Sequence, residues 1–111
     1  MQRETQKLFF DIQEAGQAVQ RFVRGKSFAV YQLDDMLRSA VERKFEIIGE
    51  ALNRLRDVDE EILEEITDYR KIIGFRNILA HGYDTVSDEI VWEIIVHNLP
   101  VLLQDVEGLQ V

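Results

Sequence analysis

Arg76, Asn77, His81 and Tyr83 fall within eight residues of one another, in the segment Phe75-Arg76-Asn77-Ile78-Leu79-Ala80-His81-Gly82-Tyr83. An arginine is charged at every relevant pH and presents a planar fork that fits phosphate oxygens. A histidine titrates near neutrality and can take or give a proton. The set suits metal-independent cleavage of RNA, in which a ribose 2′-hydroxyl attacks the adjacent phosphate. That step needs a base for the hydroxyl proton, an acid for the leaving oxygen and a cation for the charge gathering on phosphorus. His81 can serve as base or acid, Arg76 can hold the phosphate, and Asn77 can orient His81 or bond a phosphate oxygen. The other histidine, His97, lies on a different element. No His and carboxylate set has metal-ligand spacing, so neither metal nor cofactor is expected.

The spacing sets a geometric condition. Residues five apart on an unbroken α-helix point about 140° from each other, so Arg76 and His81 diverge, whereas Asn77 and His81, four apart, share a face. The pair converges if the helix unwinds before His81, which Gly82 would permit, or if two copies of the chain share one site. Plainer roles exist for the same residues. A His before a Gly at a helix end caps free carbonyls, a surface Arg joins an ion pair, and a Tyr in a turn keeps its hydroxyl in water.

The elements that must position these residues read as helices. Leu8, Ile12, Ala15, Val19 and Phe22 form a stripe at helical spacing, widened by Phe9 and Val23, and the pattern ends near Gly25 with Arg21, Arg24 and Lys26 close by. Ser27 can cap the next segment, and Phe28, Tyr31 and Leu33 lead into a long helix over about 34–56, with a bend near its start. A break at 57–59 precedes a short acidic helix over 59–67, with Ile62, Leu63 and Ile66 facing inward. A further helix over 68–80 carries Ile72, Ile73, Phe75, Ile78 and Leu79 and stops at His81-Gly82. Ser87 is an N-cap with Asp88 and Glu89 in the first turn. The last helix covers about 88–106, and Pro100 inside it should kink or divide it. Period-two alternation persists nowhere. The expected fold is all-α, a single domain over 1–111 built as an up-and-down bundle of four main helices plus a short one. Val91, Trp92, Ile94, Ile95 and Val96 make the last helix apolar almost all round, which predicts a homodimer interface on part of it.

Composition narrows the function. The chain has 111 residues, 46% of them hydrophobic, and no cysteine, which excludes disulfides, thiolate metal sites and a Cys nucleophile. No apolar run reaches signal-peptide or membrane-span length, so the expected location is the cytoplasm. The net charge is −8, and all 13 Lys and Arg lie at or before Arg76. Only acidic residues (Asp84, Asp88, Glu89, Glu93, Asp105, Glu107) follow it among the charged types. A broad nucleic-acid surface is therefore not expected, and any RNA contact has to be a local basic groove.

The motif Arg76, four residues, His81, one residue, Tyr83 resembles the signature of the HEPN (higher eukaryote and prokaryote nucleotide-binding) superfamily. The run Val41-Glu42-Arg43-Lys44-Phe45-Glu46-Ile47-Ile48-Gly49-Glu50-Ala51-Leu52 is similar to the other block of its HepT-like branch, as are the order of helices and Val91-Trp92-Glu93-Ile94. The similarity spans about residues 5–108. The resemblance implies a helical homodimer that acts as an RNase toxin of a toxin–antitoxin pair. It also implies a small nucleotidyltransferase of the MNT type as antitoxin. Arg76 and His81 fall on the family's catalytic positions, and Tyr83 on the tyrosine that the antitoxin modifies with AMP in some pairs.

Further residues can be read two ways. Glu46 and Glu50 either face the groove and position an Arg or form a solvated face. Arg43 is a candidate second phosphate contact, and otherwise an ion-pair partner. Gly49 inside a helix points to close helix packing. Trp92 reads as core or dimer interface rather than a platform for a base, and His97 as structural. Besides the RNase, the pattern admits a non-catalytic module that binds a nucleotide or docks the nucleotidyltransferase.

Overall fold

A computed structural model describes residues 1–81 and 87–110. Their regular elements are all helices, with no strand among the described residues. Helix α1 spans Arg3–Val23 and buries Leu8, Phe9, Ile12, Ala15 and Val19, the face that its spacing predicts. It ends before Gly25, whose φ of 73° lies in the left-handed region that glycine adopts without strain.

The bend expected at residue 34 is a full break. Ser27 caps a separate short helix α2, Phe28–Leu33, by accepting from the Val30 N–H. Asp34 is extended, and its carboxylate accepts from the Leu37 N–H at 3.0 Å, so it caps helix α3, Asp35–Val58. The Asp side chain competes with the backbone for that donor and ends one helix as it starts the next. The bundle thus gains a short helix that the sequence pattern merges into the long one.

Asp59 caps α4, Glu60–Leu63, which is shorter than the expected 59–67. Tight bonds from Glu65 N–H to the Ile62 carbonyl and from Ile66 N–H to that of Leu63 end it. They turn Ile66 into the core, and Asp68, at φ 59°, redirects the chain. Helix α5, Tyr69–His81, follows. Ser87 caps α6, Asp88–Glu93. A π-helical turn over Ile94–Asn98 then separates α6 from α7, Leu99–Leu109, whose first turn holds Pro100. Proline has no N–H to give and its ring crowds the carbonyl four residues back, so the wider turn absorbs the mismatch and the helix is divided.

Helix α3 is the centre of the bundle, with α1 along one side and α5 along another, while α7 packs on α1. One continuous core joins them, including Phe9, Phe45, Leu52, Ile72, Ile94 and Leu99. Trp92 is half-buried against Tyr31 and Phe28, with ring centroids 5.4 and 6.2 Å away, so it belongs to the packing of α6 on α2. Val91, Ile94 and Ile95 are buried, but Ile90 and Val96 stay about half exposed. No helix is long and apolar enough to cross a membrane among the described residues.

Candidate active site

Arg76 sits at the crossing of α5 over α3. Gly49 of α3 lies directly against it, and a methyl group built on Gly49 would overlap the Cβ and Cγ of Arg76. The close packing expected at Gly49 is therefore real, and the atom group it admits is the stem of the arginine. Beside it, Glu50 accepts a hydrogen bond from Arg76 Nη2 at 2.8 Å. Asn77 Oδ1 accepts from Nη1 at 3.2 Å. Arg76 Nε is buried in the wall without a partner. An arginine has five N–H groups, so one on each Nη remains uncommitted. The guanidinium is fixed by its neighbours, about a quarter exposed, and still able to bind an anion.

That guanidinium forms part of the wall of a cleft of about 330 Å³ between α1, α3 and α5. Lys7, Arg43 and Arg54 also line the cleft, with Glu4, Asp11, Glu46 and Glu50 among them and Leu8, Ile47 and Ala51 at its apolar parts. Arg43 pairs with Glu46 at 3.3 Å and Lys7 with Asp11 at 3.0 Å. The cations are local and focused, as a small acidic protein requires for any nucleic-acid contact, but they alternate with carboxylates. Of the two readings of Glu46 and Glu50, the structure gives the one in which they face the cleft and hold arginines.

The helix α5 continues through His81, so the backbone does not unwind between the two motif residues. Arg76 is half-buried on the side toward α3, whereas His81 is exposed and is not part of the cleft wall. One copy of the chain does not bring Arg76 and His81 together. Asn77 is exposed one residue beyond Arg76, and its Oδ1 accepts from the Arg76 guanidinium. His97 is exposed on the π-helical turn and stands apart from the cleft. Gly82 and Tyr83 lie outside the described residues. Sequence reasoning missed Arg54 and Lys7, whose only signal was helical register, with Glu50 and Asp11 respectively.

Among the described residues, three groups outside the cleft wall carry shifted titrations, and burial raises the first of them, the Tyr31 hydroxyl. Burial, with Asp88 adding to it, raises the Glu42 carboxyl above the usual range. The hydrogen bond that Tyr69 donates to Glu64 raises the Tyr69 hydroxyl.

Residues 12–109 match the family described as ribonuclease HepT-like. A Methanocaldococcus jannaschii protein named "Putative RNase" is 29% identical over 105 residues, which cover 95% of each chain. One of the same name from Caldanaerobacter subterraneus is 34% identical over 86% of this chain and 84% of its own. A Thermococcus cleftensis protein named "Probable ribonuclease HepT" is 29% identical over 99% of both chains. No solved structure gives a significant match.

Proposed function

The chain belongs to the HepT-like ribonuclease family, and from that premise we propose that it is a metal-independent endoribonuclease whose site is shared between two copies. The observation that carries the reading is the fixed Arg76 guanidinium in a cation-walled cleft on a helix that runs unbroken through His81. A fixed cation with uncommitted N–H groups suits the charge that develops on a phosphorane, because little reorganisation is needed as the charge forms. His81, about 140° around the same helix, faces a different direction. In a two-fold dimer, α5 of each copy supplies both, and His81 of one copy meets the phosphate held by Arg76 of the other. His81 takes the 2′-hydroxyl proton or protonates the leaving 5′-oxygen, and a 2′,3′-cyclic phosphate results. The half-exposed Ile78 of α5 and Ile90 and Val96 of the last helices supply apolar surface for such a dimer.

The physiological setting that goes with this reading is a toxin whose antitoxin is an MNT-type nucleotidyltransferase acting in the same cytoplasm. Transfer of AMP to Tyr83 adds phosphate and bulk one residue beyond the Gly that follows His81. That negative charge repels RNA from the groove. Incubation with the partner and ATP should give an AMP adduct on Tyr83 by mass spectrometry, and an unmodified chain counts against this part.

The test of the ribonuclease itself is cleavage of RNA by the purified chain in the presence of a chelator, with 2′,3′-cyclic phosphate ends. His81→Ala should lower the rate by about 10²- to 10⁴-fold. Equal cleavage by the wild type and the variant would sink the assignment. A second reading, a non-catalytic module that docks a nucleotidyltransferase or binds a nucleotide, draws on the carboxylates that interleave with the cleft cations. Calorimetry separates the two: tight partner binding untouched by Arg76→Ala, with no RNA cleavage, favours the module.

A further inference from the structure

The cations of the cleft are not equally available. Arg76 is bound to Glu50, Arg43 to Glu46 and Lys7 to Asp11. Arg54 lines the same cleft with no ion pair among the described residues. The remaining carboxylate, Glu4, lies in the first turn of α1, where the helix N-terminus favours a negative charge. Arg54 is thus the one cleft cation, among the described residues, that no carboxylate holds in an ion pair.

Its position follows from helical register. Arg54 is four residues beyond Glu50 on α3, on the same face and about 6 Å further along the axis. Glu50 grips Arg76, so one turn of α3 separates Arg54 from the carboxylate that holds Arg76. An anion that reaches Arg54 has no ion pair to displace, and one that reaches Arg76 meets a guanidinium already oriented. Arg54 on α3 and Arg76 on α5, lining one cleft, suit consecutive phosphates of a single strand, because the long side chains can adjust their reach to the backbone.

We propose that Arg54 holds the RNA phosphate next to the one gripped by Arg76, so that the cleft accepts a single-stranded segment with at least two phosphates. This rests on the ribonuclease reading above. Arg54 touches no reacting atom and is a substrate-binding residue whose effect depends on substrate length.

The test compares the full chain with Arg54→Gln and Arg54→Lys on a dinucleotide, which has one phosphate, and a hexanucleotide. Wild type should prefer the hexanucleotide in KM. Arg54→Gln should shrink that preference about tenfold, which is the loss of one charge-assisted phosphate contact. It should also flatten the dependence of log(kcat/KM) on log salt by about 0.7. Arg54→Lys should restore the salt slope, which a merely structural role would not do. An unchanged preference and slope in Arg54→Gln, with wild-type cleavage intact, overturns the phosphate contact and leaves the ribonuclease standing. If wild type cleaves neither substrate, the ribonuclease reading fails instead. The contact is then judged by fluorescence anisotropy with a 2′-deoxy hexanucleotide: weaker binding by Arg54→Gln supports it, and equal or absent binding overturns it.

Discussion

Gly49 and Arg76 are in van der Waals contact across the crossing of α3 and α5, with the glycine's missing side chain occupied by the arginine's Cβ and Cγ. Two elements far apart in sequence thereby fix where the guanidinium can be. The next residue, Glu50, fixes how it is turned. A helix-interior glycine usually costs up to about 1 kcal/mol relative to alanine, and here the glycine makes room for the stem of Arg76.

Gly49→Ala should therefore destabilise the fold, although alanine is the better helix former. The new methyl group either pushes the helices apart or displaces the Arg76 stem, and such overpacking costs about 1–3 kcal/mol. Thermal melts check this. A variant as stable as wild type, with unchanged RNA cleavage, would show that the contact constrains nothing.

Glu50→Gln should act on turnover more than on stability. Glu50 is about half exposed, so its ion pair with Arg76 contributes less than about 1 kcal/mol to folding. Orientation of the guanidinium is a separate matter, because a misdirected cation stabilises the transition state poorly. The expected result is a roughly tenfold lower kcat, about 1.4 kcal/mol of barrier, with a melting temperature within a few degrees of wild type. A large drop in melting temperature with kcat preserved would make Glu50 structural only.

Stability should respond to pH through Glu42. Burial and then Asp88 raise its carboxyl pKa above the ordinary 4.5, with Arg38 opposing and Glu46 and Asp35 reinforcing the shift. The folded state therefore binds this proton more tightly than the unfolded chain does. The contribution is favourable below the unfolded value and is lost as pH rises from there through the folded value. Glu42→Gln should leave stability unchanged below about pH 4. It should raise stability at neutral pH, where the wild-type carboxyl is held in surroundings that disfavour its charge. Melts at both pH values check this, and a difference equal at both would refute the assignment to Glu42.

Much of this molecule is legible in its sequence. The spacing of Leu8, Ile12, Ala15 and Val19 gave the buried face of α1, and Ser27, Ser87 and Pro100 marked caps and a division that the structure has. These are local signals, carried by periodicity and by side chains that bond their own backbone. Less visible was the break at Asp34, because an Asp after a hydrophobic turn suits a bend as well as a cap. The pairing of Glu50 with Arg76, and of Gly49 with the arginine's stem, joins residues 26 and 27 positions apart and depends on how α5 crosses α3. The sequence supplied the candidate carboxylates without saying which of them faced an arginine. Asn77 was expected to orient His81 or bond a phosphate oxygen, and its Oδ1 accepts a hydrogen bond from the neighbouring Arg76.

The central claim is that Arg76 and His81 act together only across two copies of the chain, and mixing inactive variants tests it most directly. Arg76→Ala and His81→Ala are each expected to be inactive alone. Unfolded together and refolded as a mixture, they form heterodimers in which one of the two composite sites keeps both Arg76 and His81 intact. For random pairing in a two-fold dimer, RNA cleavage should recover to about a quarter of the wild-type value. A mixture as inactive as its components, from variants that fold and associate normally, would contradict a site shared between copies.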